Sequence, residues 1–85
     1  MDTAQRIHQR LSERLQPSAL EVIDETALHA GHAGASASGR GSHMRVRIAS
    51  PLFTGLARVQ RHRLVYDALQ DFIDQGLHAL AIELI

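Results

Sequence analysis

Residues 43–49 run His-Met-Arg-Val-Arg-Ile-Ala, an alternation of polar and apolar side chains along the whole stretch. Met44, Val46 and Ile48 share one phase, and the residues between them share the other. Because the side chains of a strand point alternately to its two faces, this pattern predicts a strand with one face buried and one in water. The protein therefore contains a sheet that is covered on one side.

A helix is predicted after this strand. Ser50-Pro51 ends the strand, and Phe53-Thr54-Gly55 has the residue types of a turn. From Ala57 to Gln75, apolar residues recur at helical spacing. They are Val65, Leu69, Phe72 and Ile73, with Val59, His62 and Tyr66 on an adjoining stripe. The two stripes predict one helix that packs broadly against the sheet and ends at Gly76.

The segment from Leu77 to Leu84 predicts the last strand. Leu80, Ile82 and Leu84 alternate with other residues and share a phase with His78. An alternation of this kind is typical of a strand. His78 therefore lies at the beginning of the strand.

An amphipathic helix is predicted near the N-terminus. Ile7, Leu11 and Leu15 follow one another at helical spacing and form one apolar face. Asp2 or Thr3 can cap the first turn.

A short strand follows the first helix. Pro17 ends the helix, because the residue before a proline is pushed out of the helical region. Ala19 to Ile23 is apolar and partly β-branched, and the residues Asp-Glu-Thr at 24–26 close it. This composition predicts a strand.

Residues 27–42 show neither helical nor strand periodicity and predict a long, flexible loop, which with Thr26 spans 26–42. Glycine, serine and histidine dominate the segment. These residues are Gly31, Gly34, Gly39, Gly41, Ser36, Ser38, Ser42, His29 and His32. Loops beyond about 12–15 residues are either functional or disordered, and the sequence leaves both open.

The predicted order is helix, strand, strand, helix, strand, an αββαβ arrangement in one domain that spans residues 1–85. The first two strands can pair antiparallel. The second and third are joined through a helix, so as neighbours they are parallel with a right-handed crossover. The fold class is therefore α/β of the α+β type, with a three-stranded mixed sheet and both helices on one face.

Composition excludes several classes of protein. The 85 residues contain nine basic and nine acidic side chains and no cysteine. A zero net charge gives no global attraction to nucleic acid or to an anionic membrane, and the absence of cysteine excludes disulfides and a thiol nucleophile. No carboxylate pair, nucleophile and base pair or phosphate-binding loop is present, so we expect no enzyme.

The N-terminus, Met1 to Ala4, lacks a basic region followed by an apolar stretch. Nowhere does the chain contain about 18 consecutive apolar residues. We therefore expect a cytoplasmic protein that does not insert into a membrane.

Three histidines suggest half of a metal site. His78 precedes an apolar strand, and His29 and His32 lie in the glycine-rich segment. Imidazole binds iron, copper and zinc, whereas an iron–sulfur cluster normally needs thiolates. If iron and sulfide are handled here, a partner supplies the sulfur.

Basic residues favour an anionic partner. Arg58, Arg61 and Arg63 fall in the opening turns of the predicted second helix, where the helix dipole disfavours cations. With Arg45, Arg47 and His43 of the wet face they form a candidate surface for a partner protein or for nucleic acid phosphates. The alternative is an ordinary solvated set of arginines.

The chain resembles the BolA family along nearly its whole length. Each motif alone is weak, but they occur in the family's order and spacing. They are Leu20-Glu21-Val22 with Asp24-Glu25-Thr26, the loop histidines, Ser42-His43, Phe53-Thr54-Gly55, the helix start from Arg61 to Tyr66, and His78-Ala79-Leu80-Ala81-Ile82.

This resemblance implies a fold like a class II KH domain and a heterodimer with a monothiol glutaredoxin. The two proteins would share a [2Fe-2S] cluster. The glutaredoxin cysteine and a glutathione thiolate hold one side, and histidines of the BolA protein hold the other. The family's histidine before the last strand corresponds to His78, and its variable loop ligand corresponds to the region of His29 and His32.

The chain departs from the family's pattern in three ways. The segment 27–42 is longer than in many members and holds two histidines, of which His29 is the better match by its distance from residues 24–26. Met44 stands where an aromatic residue is usual, and keeps the position apolar. The chain stops at Ile85, short of the family's usual C-terminal helix.

Three functions follow as hypotheses. The first is an adaptor for iron–sulfur cluster assembly, trafficking or iron regulation, with His78 and a loop histidine as ligands. The second is a KH-like transcriptional regulator that binds nucleic acid, in a family with stress-response roles, although no Gly-x-x-Gly clamp lies between two helices. The third is a zinc module of His29, His32 and His78. Homodimerisation is left open.

Overall fold

The computed structural model describes residues 1–26 and 43–85. Of the predicted loop 26–42, Thr26 is described and buried, and the rest, including His29 and His32, lies outside the described residues. The described elements follow the order predicted from the sequence. They are α1 (Thr3–Leu15), β1 (Ala19–Asp24), β2 (His43–Ala49), a 3₁₀ turn (Pro51–Phe53), α2 (Arg58–Ala68), α3 (Gln70–Asp74) and β3 (Ala79–Leu84).

Helix α1 begins at a reciprocal cap. The Asp2 side chain accepts a hydrogen bond from the Gln5 N–H at 2.8 Å, and the Gln5 side chain accepts one from the Asp2 N–H at 2.9 Å. Two N–H groups that have no partner within the helix are thereby satisfied. The helix ends at Gln16, which is left-handed with φ 46° and precedes Pro17. The predicted helix is confirmed at both ends.

The three strands form one sheet in the order β1-β2-β3. Strand β2 is central, antiparallel to β1 and parallel to β3. Val46 of β2, for example, faces Val22 of β1 and Ile82 of β3. The predicted mixed sheet is confirmed, and so is the orientation of each pair.

The helices cover one face of this sheet. The core contains the predicted faces of α1 and β2, together with residues from the second helical region. Its buried members are Ile7, Leu11, Leu15, Met44, Val46, Ile48, Phe53, Val65, Ala68, Leu69, Phe72 and Leu77. The opposite face of the sheet, called the open face below, carries Arg45 and Arg47.

The predicted single helix from 57 to 75 is two helices, α2 and α3, that meet at Leu69. The Leu69 N–H donates to the carbonyl oxygens of both Val65 and Tyr66, at 3.2 and 3.1 Å, and its φ and ψ are −112° and 13°. Shared bonds of this kind tighten the last turn of a helix. Periodicity could not reveal the break, because Leu69 is buried and keeps its place on the apolar face.

Fewer residues of helix α2 are buried than predicted. Val59 is 65% exposed and Tyr66 is 39% exposed, while Val65 and Ala68 are buried. His62, between the two exposed residues on the adjoining stripe, is half-buried. The expectation that this stripe packs against the sheet is wrong for Val59, whereas the Tyr66 hydroxyl donates to the Leu80 carbonyl oxygen of β3 at 3.4 Å. No helix in the described ranges is long and apolar enough to cross a membrane.

Arg10 joins α1 to α3. Its guanidinium donates to both carboxylate oxygens of Asp71, at 2.7 and 2.9 Å, and to the Ala68 carbonyl oxygen at 3.0 Å. The same guanidinium lies 5.2 Å from the centre of the Phe72 ring, and that of Arg6 lies 5.3 Å from it. The hydrogen bond from Arg10 is the main cause that lowers the pKa of Asp71, with burial opposing it.

This ion pair predicts a pH-dependent contribution to stability. A carboxyl group whose pKa is lower in the folded state stabilises the fold above its unfolded pKa and loses that contribution as the pH falls. The melting temperature of the Asp71→Asn protein should therefore lie below that of the unchanged protein at pH 7, and the gap should close below about pH 4. Thermal unfolding followed by circular dichroism from pH 2 to 7 measures both.

Asp67→Asn is the matched control, because Asp67 is exposed on α2 and takes part in none of the ion pairs within the described residues. A gap for Asp71→Asn that stays constant down to pH 2 would show that the pair with Arg10 does not stabilise the fold.

Candidate metal ligand and surrounding surface

His78 lies between a fixed turn and the beginning of β3. Gly76 follows α3 and has φ +123°, a conformation that glycine adopts readily and other residues rarely adopt. Leu77 is buried, and its N–H donates to the Phe72 carbonyl oxygen at 3.0 Å. The His78 side chain is exposed. The strand begins at Ala79 and not at the predicted Leu77, so His78 has an anchored backbone and an accessible imidazole.

Three chain segments meet beside His78. Ala79 is the register partner of His43, the first residue of β2. The His43 N–H donates to the Thr26 hydroxyl oxygen at 3.2 Å, and the Glu25 N–H donates to the His43 carbonyl oxygen at 2.9 Å. The two described residues that flank 27–42, Thr26 and His43, therefore both lie at the end of the sheet that carries His78. We call this end the histidine edge.

His43 is buried, with 9% exposure, although it shares a strand phase with Arg45 and Arg47. The prediction of a solvated His43 is wrong. The alternation of residues in a strand indicates the face on which a side chain lies. It does not show whether another segment of the chain covers that side chain at the end of the strand. Here His43 lies between Ala79 on one side and the buried Thr26 on the other. A buried ring contributes little to a partner or nucleic acid surface.

The other two predicted metal ligands, His29 and His32, lie outside the described residues. Within 1–26 and 43–85, no three side chains of histidine, aspartate or glutamate come together as a metal site. Two members of the predicted zinc set are therefore not described, and that hypothesis stays a prediction. His78 is the predicted ligand whose surroundings the structure gives.

The arginines of the open face form ion pairs with carboxylates, so this face is not a basic surface. Arg47 contacts Glu21 at 3.1 Å and Glu83 at 3.0 Å. Arg45 contacts Glu25 at 2.9 Å and Glu83 at 3.5 Å. Three carboxylates thus surround two guanidinium groups, and the set carries one negative charge in excess.

These pairs follow from the register. Glu21 faces Arg47, which faces Glu83, so three charges of alternating sign lie in one row across the sheet. The hydrogen bond to Glu25 is the main cause that raises the pKa of Arg45. The sequence interpretation named the arginines without their carboxylates, although the alternation of β1 and β3 could have placed Glu21 and Glu83 on the same face. Arg45 and Arg47 therefore do not form the basic surface that was predicted.

The predicted arginines of α2 differ from one another. The Arg61 guanidinium donates to the Leu56 carbonyl oxygen at 2.8 Å and holds the turn before the helix. Arg58 and Arg63 are exposed, and none of the ion pairs within the described residues includes them. The residue that precedes the helix, Ala57, gives no side-chain cap. Positive charge therefore remains at the beginning of α2.

Comparison with known proteins assigns the chain to a family. A family profile described as BolA-like protein matches residues 11–85. The solved structure of the BolA domain of SufE1 from Arabidopsis thaliana has a TM-score of 0.86 at 42% identity, over 99% of this chain and 91% of that one. The chain belongs to the BolA family, and the resemblance found in the sequence is confirmed.

Two relatives illustrate the range of the family. The chain is 48% identical over 84 residues to an uncharacterized protein in the cobS 5′ region of a Sinorhizobium species, over 98% of this chain and 89% of that one. It is 41% identical over 76 residues to the DNA-binding transcriptional regulator BolA of Vibrio cholerae, over 89% of this chain and 67% of that one. Other curated relatives are longer, and the chain spans half or less of the length of two of them.

Proposed function

We propose that this BolA-family protein is a cytoplasmic adaptor that forms a heterodimer with a monothiol glutaredoxin and shares a [2Fe-2S] cluster with it. Its role is in iron–sulfur cluster assembly or trafficking or in iron regulation, with no catalytic step of its own. The observation that carries the proposal is the exposed imidazole of His78 on an anchored backbone, in a chain without cysteine.

The second ligand on this chain is His29 or His32. His29 follows Thr26 by three residues and His32 follows it by six, and an extended chain advances at most about 3.6 Å per residue, so these two tethers can span at most about 11 Å and about 22 Å. Thr26 is hydrogen-bonded to His43, whose register partner is adjacent to His78. Neighbouring strands lie about 4.8 Å apart, so both tethers are long enough to reach the imidazole of His78. The shorter tether favours His29.

The residues of the histidine edge suit a shared cluster. When bound, the cluster supplies iron and sulfide that can be passed on, or an electron. The glutaredoxin cysteine and glutathione supply the thiolates, while His78 supplies a neutral nitrogen ligand to an exposed iron. An imidazole ligates only when it is deprotonated, so binding on this side weakens as the pH falls. A carrier that releases its cargo benefits from such a ligand.

Mixing the protein with a cluster-loaded monothiol glutaredoxin and glutathione tests the proposal. The visible absorption and circular dichroism of the cluster should change, because nitrogen ligands replace ligands on one iron. Amide NMR shifts should concentrate at Thr26, His43 and residues 77–79. Glutaredoxin without cluster is the control. Unchanged cluster spectra at a threefold excess of this protein would exclude a shared cluster.

A second candidate is a nucleic-acid-binding regulator. The name of the Vibrio cholerae relative and the exposed Arg58 and Arg63 favour it. The zero net charge and the acidic excess of the open face oppose it, since phosphate contacts dominate affinity for nucleic acid. A DNA titration at about 0.15 M salt separates the two functions. Sequence-dependent binding in the micromolar range would favour the regulator.

A further inference from the structure

The outer edge of β3 offers backbone groups for pairing. The Ile85 N–H donates to the Ile48 carbonyl oxygen of β2 at 3.0 Å. The N–H and C=O of one residue in a strand point to the same side, and successive residues alternate. The backbone groups of Leu80, Ile82 and Leu84 therefore point away from β2.

Helix α2 confirms this orientation independently. The Tyr66 hydroxyl donates to the Leu80 carbonyl oxygen at 3.4 Å, so this carbonyl has a partner outside the sheet. Within the described residues, no strand pairs with this edge, because β3 is the last strand of the sheet. Ile82 and Leu84 thus present N–H and C=O groups that a further strand can bond.

An open cleft of about 410 Å³ lies beside this edge, between β3 and the beginning of α2. Ile82, Leu84 and Ile85 supply apolar surface, and Arg58 and His62 of α2 line the other wall. Ile82 and Leu84 are half-buried, and Ile85 is 59% exposed. An additional strand would cover this apolar surface on the side of the helices.

The cleft has a positive charge that its own residues do not balance. Its carboxylate, Glu83, is already engaged by Arg45 and Arg47. Arg58 is exposed at the first position of α2, where the helix dipole has the same sign and Ala57 provides no side-chain cap. A carboxylate that reaches Arg58 meets both the guanidinium and this dipole.

We propose that the outer edge of β3 and this cleft form a docking site for an extended segment of a partner protein. The segment adds a strand to β3, has apolar side chains at alternate positions on the helix side, and carries a carboxylate on that side next to Arg58. Strand addition of this kind takes affinity from main-chain hydrogen bonds and specificity from the side-chain pockets. The site lies at the end of β3 opposite His78 and is independent of cluster sharing.

A second copy of the chain fits this site less well. If two β3 edges paired, the carboxylate that the second copy brings would be that of Glu83, which Arg45 and Arg47 already engage. Arg58 would then remain without a partner. The charge pattern therefore favours an acidic segment of another protein.

The probe is a synthetic peptide, acetyl-Glu-Thr-Val-Thr-Val-Thr-Glu-amide. Its valines and both glutamates lie on one face of a strand, so either direction of pairing brings a carboxylate to Arg58. An NMR titration should shift the amides of Ile82 and Leu84 and the Arg58 side chain. The same peptide with glutamine in place of glutamate should bind about fivefold more weakly. Shifts that concentrate on β1, or none up to millimolar peptide, would overturn the proposal.

Substitutions distinguish the contribution of charge to peptide binding from the contribution of strand pairing. Arg58→Gln should weaken binding about fivefold, while Arg63→Gln, the matched exposed arginine outside the cleft, should not. Leu84→Pro removes an N–H that points away from β2 and should abolish binding. An equal loss of peptide affinity in both arginine variants would overturn the proposal in favour of nonspecific charge attraction. NMR shifts of β3 that change on dilution without peptide would overturn it in favour of self-association. His78→Ala, which lies at the other end of β3, should leave peptide binding unchanged.

Discussion

The His78→Ala protein should leave the visible absorption and circular dichroism of cluster-loaded glutaredoxin unchanged, under conditions where the unchanged protein alters them. Alanine removes a nitrogen ligand, and even residues that only support a metal ligand are worth about 10- to 100-fold in affinity. We therefore expect at least about a 100-fold loss in affinity for the loaded glutaredoxin. A spectroscopic titration measures it.

The side chain of His78 is exposed, so its removal should not disturb the fold. Far-ultraviolet circular dichroism and the melting temperature should stay as they are. His8→Ala is the matched control, because His8 is an exposed histidine of α1, outside the histidine edge. Should His78→Ala alter the cluster spectra as the unchanged protein does, the ligand assignment is wrong. Should His8→Ala abolish the change, the effect is not specific to His78.

The Leu11→Ala protein should lose about 3 kcal/mol of unfolding free energy, within the range for truncating a buried leucine. Leu11 is 0% exposed, in the middle of the face that α1 turns to the sheet. A domain of this size has a total stability of only about 4–13 kcal/mol, so the loss is a large fraction. The melting temperature should fall by more than about 10 °C. Urea and thermal unfolding measure the two values.

Leu52→Ala is the matched control for the same chemical change. Leu52 is 47% exposed in the 3₁₀ turn after β2, so we expect a loss of less than about 1 kcal/mol. Equal losses for the two variants would mean that the apolar face of α1 is not the main contact that holds the helix on the sheet.

Local patterns predicted most of the fold. Met44, Val46 and Ile48 alternate because a strand has two faces, and all three are buried. Ile7 and Leu15 recur as a helix requires, and both are buried too. These patterns depend on residues a few positions apart, so one sequence contains them in full. The element order then favoured a mixed sheet, in which the second and third strands are parallel if they are adjacent.

The sequence was less informative about the surface. It identified Arg45 and Arg47 as outward residues, which is correct, but it left out the carboxylates that pair with them, from β1, from Glu25 just after β1, and from β3. It also placed His43 in water, where the structure buries it. Both properties depend on segments that are far away in the sequence and adjacent in the sheet.

Patterns in the sequence predicted the two helical regions, the three strands, their order and the family, and they indicated His78 as a candidate ligand. The tertiary structure alone decided that the helix breaks at Leu69, that the open face is an ion-pair network, and that the two flanks of residues 27–42 lie at the end of the sheet that carries His78. The difference comes from how far apart in the sequence the interacting residues are. Periodicity and capping act between neighbours in the chain, whereas register, burial and ion pairing depend on which distant residues folding brings together.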